Sequence, residues 1–195
     1  MSNRRSRQQG HTPGHRSDFS YRMIELMHEN RLLHYFRDPY KLLAAAGLTR
    51  GQHVLEVGCG PGYFTIPAAK LLGPDGVVYA IDVHPRAIAR VKEKIAADGV
   101  KNVTPLLANA AETGLPDSSI DLAFLFGLRY IAGGLDVLLT ELYRVLKLGG
   151  NLAFEKTRGS AGKMIAEVEA SGFSHTHTKG RILVFERVIL ETATW

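Results

Sequence analysis

The feature that most restricts this chain is the run Val54-Leu55-Glu56-Val57-Gly58-Cys59-Gly60-Pro61-Gly62-Tyr63-Phe64-Thr65, where a short apolar stretch passes directly into three glycines at alternate positions. The apolar stretch has the length and β-branched content of a buried strand, and the residues after Gly62 read as a helix. Glycine at such a corner lets the backbone turn sharply and lets a ligand lie against the main chain with no Cβ between them. In open α/β sheets ligands bind beyond the carboxyl ends of the strands, where the strand order reverses. The spacing here is G-x-G-x-G, whereas dinucleotide sites that seat a pyrophosphate on the helix carry G-x-G-x-x-G. Glu56 stands two residues before the first glycine, where its charge would repel a pyrophosphate and suit an ammonium or sulfonium. Pro61 removes an amide that a phosphate cradle would use. The turn points to a cationic ligand.

The remaining pattern predicts what surrounds that turn. Asp75-Gly76, Asp98-Gly99, Gly149-Gly150 and Lys179-Gly180 punctuate the chain. Between them, strands are expected at 53–57, 77–81, 103–107, 120–126 and 151–156, alternating with helices at 63–72, 85–97, 135–146 and 161–170. Two closing runs, 173–178 and 181–189, read as a hairpin about Lys179-Gly180. Upstream, Asp18 is placed to cap a helix carrying Met23, Ile24, Met27, Leu32, Leu33 and Phe36. Pro39 can open a second helix, with Gly47 as its stop. Strand–helix alternation ending in a hairpin implies an α/β fold, a mostly parallel sheet with one antiparallel strand.

With 195 residues, 45% of them hydrophobic, the chain suits one such domain, and no second domain or internal repeat is visible. The predicted organisation is a disordered basic tail over 1–17 and a single domain over 18–195. The tail holds Arg4, Arg5, Arg7 and Arg16 with no acid, whereas the remainder has 20 basic and 19 acidic residues. The net charge of +5 is thus a property of the tail, so nucleic-acid contact is expected, if at all, through residues 1–16. No apolar run has the length of a membrane span, and no apolar core follows the arginines as a secretory signal would need. Cys59 is the single cysteine, which excludes an internal disulfide and a cysteine-based zinc site, so a cytoplasmic protein is expected.

A second ligand signal is Asp82, which closes Val78-Tyr79-Ala80-Ile81-Asp82 twenty positions after Gly62. A carboxylate at the tip of the second strand can accept both hydroxyls of a ribose; the competing role is a helix cap ahead of Pro85. With these residues in hand, Val54–Thr65, Ile81-Asp82-Val83, Asn109-Ala110 and Ile120–Gly127 together resemble the class I S-adenosylmethionine-dependent methyltransferases. Within them the chain is most similar to the small-molecule group around the ubiquinone/menaquinone-biosynthesis enzymes, densely so from about Asp38 to about Gly150. The resemblance implies a Rossmann-like three-layer sandwich with a seven-stranded sheet, and S-adenosyl-L-methionine as cofactor.

Carried over residue by residue, the resemblance puts Glu56 near the methionine ammonium and Gly58, Cys59, Gly60 and Gly62 along the methionine and ribose. Asp82 would hold the ribose hydroxyls and Val83 would pack on adenine. Asn109 and Ala110 stand where the family usually has Asp-Ala, at the adenine edge; an amide accepts from the adenine amino group too, so this departure bears on affinity. Phe126 and Gly127 would line the methyl end. On the acceptor side the candidates are Arg129 and Tyr130, with Tyr40 and His34 behind them. Phe126-Gly127-Leu128-Arg129-Tyr130 is not the Asn/Asp-Pro-Pro-aromatic motif of enzymes that methylate exocyclic amino groups, and no metal site is expected. His175 and His177 read as an edge-strand face and Cys59 as a packing residue. A methyltransferase acting on a small-molecule acceptor is the expectation. The alternatives are an RNA or protein methyltransferase, a non-catalytic cofactor-binding partner module, and last a NAD(P)-dependent oxidoreductase.

Overall fold

The computed structural model describes residues 37–127, 134–156 and 159–189. Expectations for the tail, the helix after Asp18, His34, Arg129 and Tyr130 fall outside those residues. The elements are α1 (Pro39–Ala45), β1 (His53–Val57), α2 (Thr65–Leu72), β2 (Val77–Asp82), α3 (Pro85–Asp98), β3 (Val103–Leu107), β4 (Ile120–Leu125), α4 (Leu135–Val145), β5 (Leu146–Glu155), α5 (Ala161–Glu169), β6 (Phe173–Lys179) and β7 (Ile182–Arg187).

Seven strands form one sheet in the order β3-β2-β1-β4-β5-β7-β6. The pairs β1–β2, β1–β4, β2–β3 and β4–β5 are parallel, and β7 runs antiparallel to both its neighbours. This is the mostly parallel sheet with one reversed strand that the alternation implied. The order turns back at β1, with β2 on one side and β4 on the other, so a crevice opens beyond their carboxyl ends.

Period-two alternation divides the core between the sheet's two faces. Val54, Val78, Leu122, Phe124, Ile182 and Val184 pack with Leu43 of α1, Leu72 of α2 and Ile88 and Val91 of α3. Their chain neighbours Leu55, Ala123, Leu125, Leu183 and Phe185 pack with Leu138, Leu142 and Val145 of α4 and Val168 of α5. Both faces are covered, which is why the strands read as near-continuous apolar runs. At this alternation Glu56 shares the face of Val54, beneath α2.

Most boundaries fall within a residue or two of the sequence reading, and two departures have a clear physical cause. The Gly149-Gly150 pair lies inside β5, whose register against β4 jumps from Ile120↔Leu146 to Leu122↔Asn151. The pair builds an irregularity in a strand where a stop was expected. A Cβ on Gly150 would meet the Lys147 carbonyl at 2.8 Å, so only glycine fits the fold-back. Helix α2 starts at Thr65, two residues after the expected start, because Tyr63 and Phe64 still belong to the turn.

A buried polar knot ties the segment before β4 to α4. Glu141 Oε1 accepts from Thr113 N at 2.8 Å and from Thr113 Oγ1 at 2.5 Å, and Arg144 Nε donates to its Oε2 at 2.8 Å. The Arg144 guanidinium, and then Thr113, hold its carboxyl down at about 2. Its contribution to stability is therefore complete above the ordinary carboxylate range and drains away as pH falls from about 4.5 through about 2. Glu141→Ala is expected to cost about 2–3 kcal/mol in a denaturant melt at pH 7, because Thr113 and Arg144 lose a charged acceptor. A loss under about 0.5 kcal/mol would show the knot to be ornamental.

Candidate cofactor site

The site grows from the carboxyl ends of β1 and β2, paired in register up to Val57↔Ile81. Beyond that pair the amides of Gly58 and Cys59 both donate to the Ile81 carbonyl, at 2.8 and 3.0 Å, folding the chain over the end of β2. Gly58, Gly60 and Gly62 then take φ values of +72°, +52° and +79°, left-handed geometry that favours glycine. They serve different ends. A Cβ on Gly60 would meet no heavy atom within 4 Å, so backbone lies open there to a ligand. A Cβ on Gly62 would stand 3.2 Å from Val91 Cγ2, so that glycine lets α3 approach.

Asp82 is tied into this turn by its side chain. Its Oδ2 accepts from Gly60 N and its Oδ1 from His84 N, both at 2.9 Å. The helix-capping role belongs to His84, whose Nδ1 accepts from Arg86 N at 3.2 Å. Asp82 is thus a half-buried carboxylate aimed by two amides, each oxygen keeping a lone pair for a further donor. Next to it Val83 is 62% exposed, an apolar side chain left uncovered beside a polar rim. Asn109 is exposed, and its Oδ1 accepts from Ala111 N at 3.0 Å, so the amide that replaces the family's carboxylate is partly engaged in its own turn. Ala110 is half-buried beside it.

Glu56 lies under the turn, 3% exposed, and accepts from Thr65 Oγ1 at 2.6 Å. Burial pushes its carboxyl up to about 8, the Thr65 hydrogen bond opposes this, and the Asp82 charge raises it further. Cys59 is buried too; burial, then Glu56 and Asp82, push its thiol up, so it is a neutral packing group. Two acidic side chains, Glu56 and Asp82, thus stand at the turn.

At the end of β4, Phe126 is buried and Gly127 turns at φ +69°. Phe126 packs at ring-centroid distances of 5.2 Å from Phe64 and 4.9 Å from Phe124, and Tyr63 lies 4.9 Å from Phe64. Above them sits a group that the sequence reading did not name. The Arg37 guanidinium is ion-paired with Glu155, lies 5.1 Å from the Phe64 ring centroid, and comes within 3.1 Å of where a Cβ on Gly127 would be. Tyr63 Oη donates to the Arg37 carbonyl. Glu155 carried a readable signal, an acid at the carboxyl end of a parallel strand, like Glu56 and Asp82. Arg37 carried none, its partner being 118 residues away.

Of the acceptor-side candidates, Tyr40 is described. It is 46% exposed at the start of α1, where its amide donates to Asp38 Oδ1 at 2.9 Å. His175 and His177 lie on β6, an edge strand, with a register shift between them. His175 packs against Phe185 at 5.3 Å, while His177 is exposed.

Comparison with known proteins supplies independent context. The model of the methyltransferase domain family matches residues 54–150. A demethylmenaquinone methyltransferase of Listeria monocytogenes serotype 4a is 38% identical over 105 residues, covering 53% of this chain and 44% of the relative. One from Anoxybacillus flavithermus is 32% identical over 142 residues, covering 72% and 58%. The chain therefore spans about half the length of these relatives. The crystal structure of an S-adenosylmethionine-dependent methyltransferase from Aquifex aeolicus superposes with a TM-score of 0.77 at 25% identity, covering 87% of this chain and 98% of that one. The [4+2]-cyclase SpnF, at 22% identity and a TM-score of 0.64 over 72% of this chain and 57% of its own, shares the fold alone.

Proposed function

Given that this chain belongs to the class I S-adenosylmethionine-dependent methyltransferases, we propose that it transfers the sulfonium methyl of that cofactor to a small-molecule acceptor. The observation that carries this reading is the pair of carboxylates around the glycine turn. Asp82 is aimed by two backbone amides, and Glu56 is buried beneath the open backbone at Gly60. Those residues fit the cofactor's chemistry: a ribose diol for Asp82, an ammonium for Glu56, a flat base beside exposed Val83.

When bound, the cofactor supplies a methyl group already activated by the positive sulfur. The chain's part is to hold and aim. Asp82 would accept from the ribose, the turn at Gly58, Cys59, Gly60 and Gly62 would lie along the ligand, and Ala110 and Asn109 would border the base. Buried Phe126 would keep water from the reacting end, beside Gly127. A base is needed only where the acceptor must lose a proton.

The acceptor class to try first is the one the relatives are named for, a demethylmenaquinone. RNA or protein acceptors, reached through the Arg-rich residues 1–16, are the second reading, favoured by the placement of the charge. The SpnF likeness is the reason to measure transfer itself, because this fold also hosts a cyclase. A cytoplasmic setting fits a chain with one, buried, cysteine, and none of the described helices is long and apolar enough to cross a membrane.

The deciding experiment incubates the purified chain with methyl-labelled S-adenosylmethionine and an extract split into RNA, protein, lipid and small-molecule fractions, demethylmenaquinone added to one arm. Label in the small-molecule or quinone arm is the expected result. Label in the RNA or protein arm reassigns the acceptor. Cofactor binding with no label in any arm shifts the reading to a rare acceptor, a missing partner or a non-catalytic module.

A further inference from the structure

Arg37 joins two parts of the crevice that nothing in the local sequence connects. Its carbonyl accepts from Tyr63 Oη, one residue past Gly62, and its guanidinium stacks on Phe64, the residue that caps α2. The same guanidinium is paired with Glu155 at the end of β5 and packed on Gly127 after β4. One residue thus grips the glycine turn on one side and the methyl-end rim on the other. The Glu155 side chain is only 4% exposed and that of Arg37 21%, so the bond between them is largely shielded from water and salt.

The cost of this arrangement also marks it. Arg37 Nε is buried with no hydrogen-bond partner, and Glu155 without Arg37 would be a buried carboxylate lacking its counter-charge. A core needing only stability would fill such a place with apolar side chains. Methyl transfer, by contrast, depends on holding the cofactor and the acceptor edge in one geometry, where a shift of about 1 Å can cost about a hundredfold in rate.

We propose that Arg37 is a positioning residue that clamps the glycine-rich turn to the carboxyl ends of β4 and β5, so that cofactor turn and acceptor edge move as one body. The inference rests on the reading of the glycine turn as the S-adenosylmethionine site. It gives Tyr63 and Glu155 a shared role: each holds one end of the same clamp, and cutting either end frees the turn.

The test is a double-mutant cycle on the full chain, with Tyr63→Phe, Glu155→Gln and the double variant. Affinity for S-adenosylhomocysteine is measured by calorimetry, and melting temperature is measured without ligand. Each single variant is expected to weaken binding by about 3- to 10-fold, and the double variant to be no weaker than the worse single one, because both act through Arg37. Losses that multiply in the double variant, or affinity unchanged in both singles while the melting temperature falls, would overturn the clamp. Where Glu155→Gln does not fold, Arg37→Lys takes its place in the cycle, keeping the charge while losing the planar fork, with the same criteria. A wild-type chain that binds no S-adenosylhomocysteine would sink the cofactor reading itself, an outcome separate from the other two.

Discussion

Asp82→Ala is expected to weaken S-adenosylmethionine binding by about 10- to 100-fold, through the loss of two charge-assisted hydrogen bonds to the ribose. The geometry pushes the effect toward the upper end. The same carboxylate receives Gly60 N and His84 N, so its removal also releases the turn at the glycine whose backbone lies open. Asp82→Asn, which keeps both oxygen-sized positions but only one acceptor, should fall between wild type and alanine. Calorimetric titration of the three proteins checks the ranking, with melting curves to confirm that all are folded. Equal affinities in wild type and Asp82→Ala would remove the ribose assignment.

The second large effect is a pH dependence centred on Glu56. Its carboxyl is pushed up to about 8 by burial, so in the ligand-free protein below that pH it carries a proton. A cationic ligand binds the ionised form, so binding must expel that proton, and affinity should climb by up to about tenfold per pH unit between 5.5 and 7.5. Near pH 8 the rise ends, because the ligand's own α-amino group loses its charge at about 7.7–8.0. Glu56→Gln should bind more weakly at pH 7.5 and lose the acidic limb. Stability without ligand must run the opposite way. A carboxyl raised in the folded state stabilises fully below its unfolded value of about 4.5, and that contribution drains away as pH rises through about 8. Melting temperature and affinity therefore trade places across the same window in wild type, and neither trend should survive in the glutamine variant. A wild-type affinity that is flat from 5.5 to 7.5 would show that Glu56 does not sense the ligand's charge. Asp82→Ala adds an internal check: the Asp82 charge helps raise Glu56, so the midpoint should fall in that variant.

Local chemistry made much of this molecule readable in one dimension. The strands His53–Val57 and Ile120–Leu125 fall within a residue of where the apolar runs and their punctuation put them, because a parallel strand covered on both faces is a short and nearly continuous apolar run. The acids at the turn, Glu56 and Asp82, were legible as candidates, because a strand's last residues and the turn beside them are neighbours in sequence and in space alike. The Gly149-Gly150 pair misled for the converse reason. A glycine pair marks a place where the backbone must fold tightly, and the neighbouring strand decides whether that place is a stop or an irregularity inside a strand. Asn109 is similar: its type suggested an adenine contact, and its own turn takes up part of that capacity.

What lay in the residue order alone was the class of the fold, the position of the crevice and the acids at its turn, each following from patterns a few residues long. Tertiary structure decided how the crevice is closed and tuned. The raised carboxyl of Glu56 exists because α2 covers it, and the link from Tyr63 through Arg37 to Glu155 exists because β5 lies beside β4. Burial and long-range pairing depend on which elements pack together: Thr65 is near Glu56 in sequence, but Asp82 lies a strand away and the partner of Arg37 stands 118 residues from it.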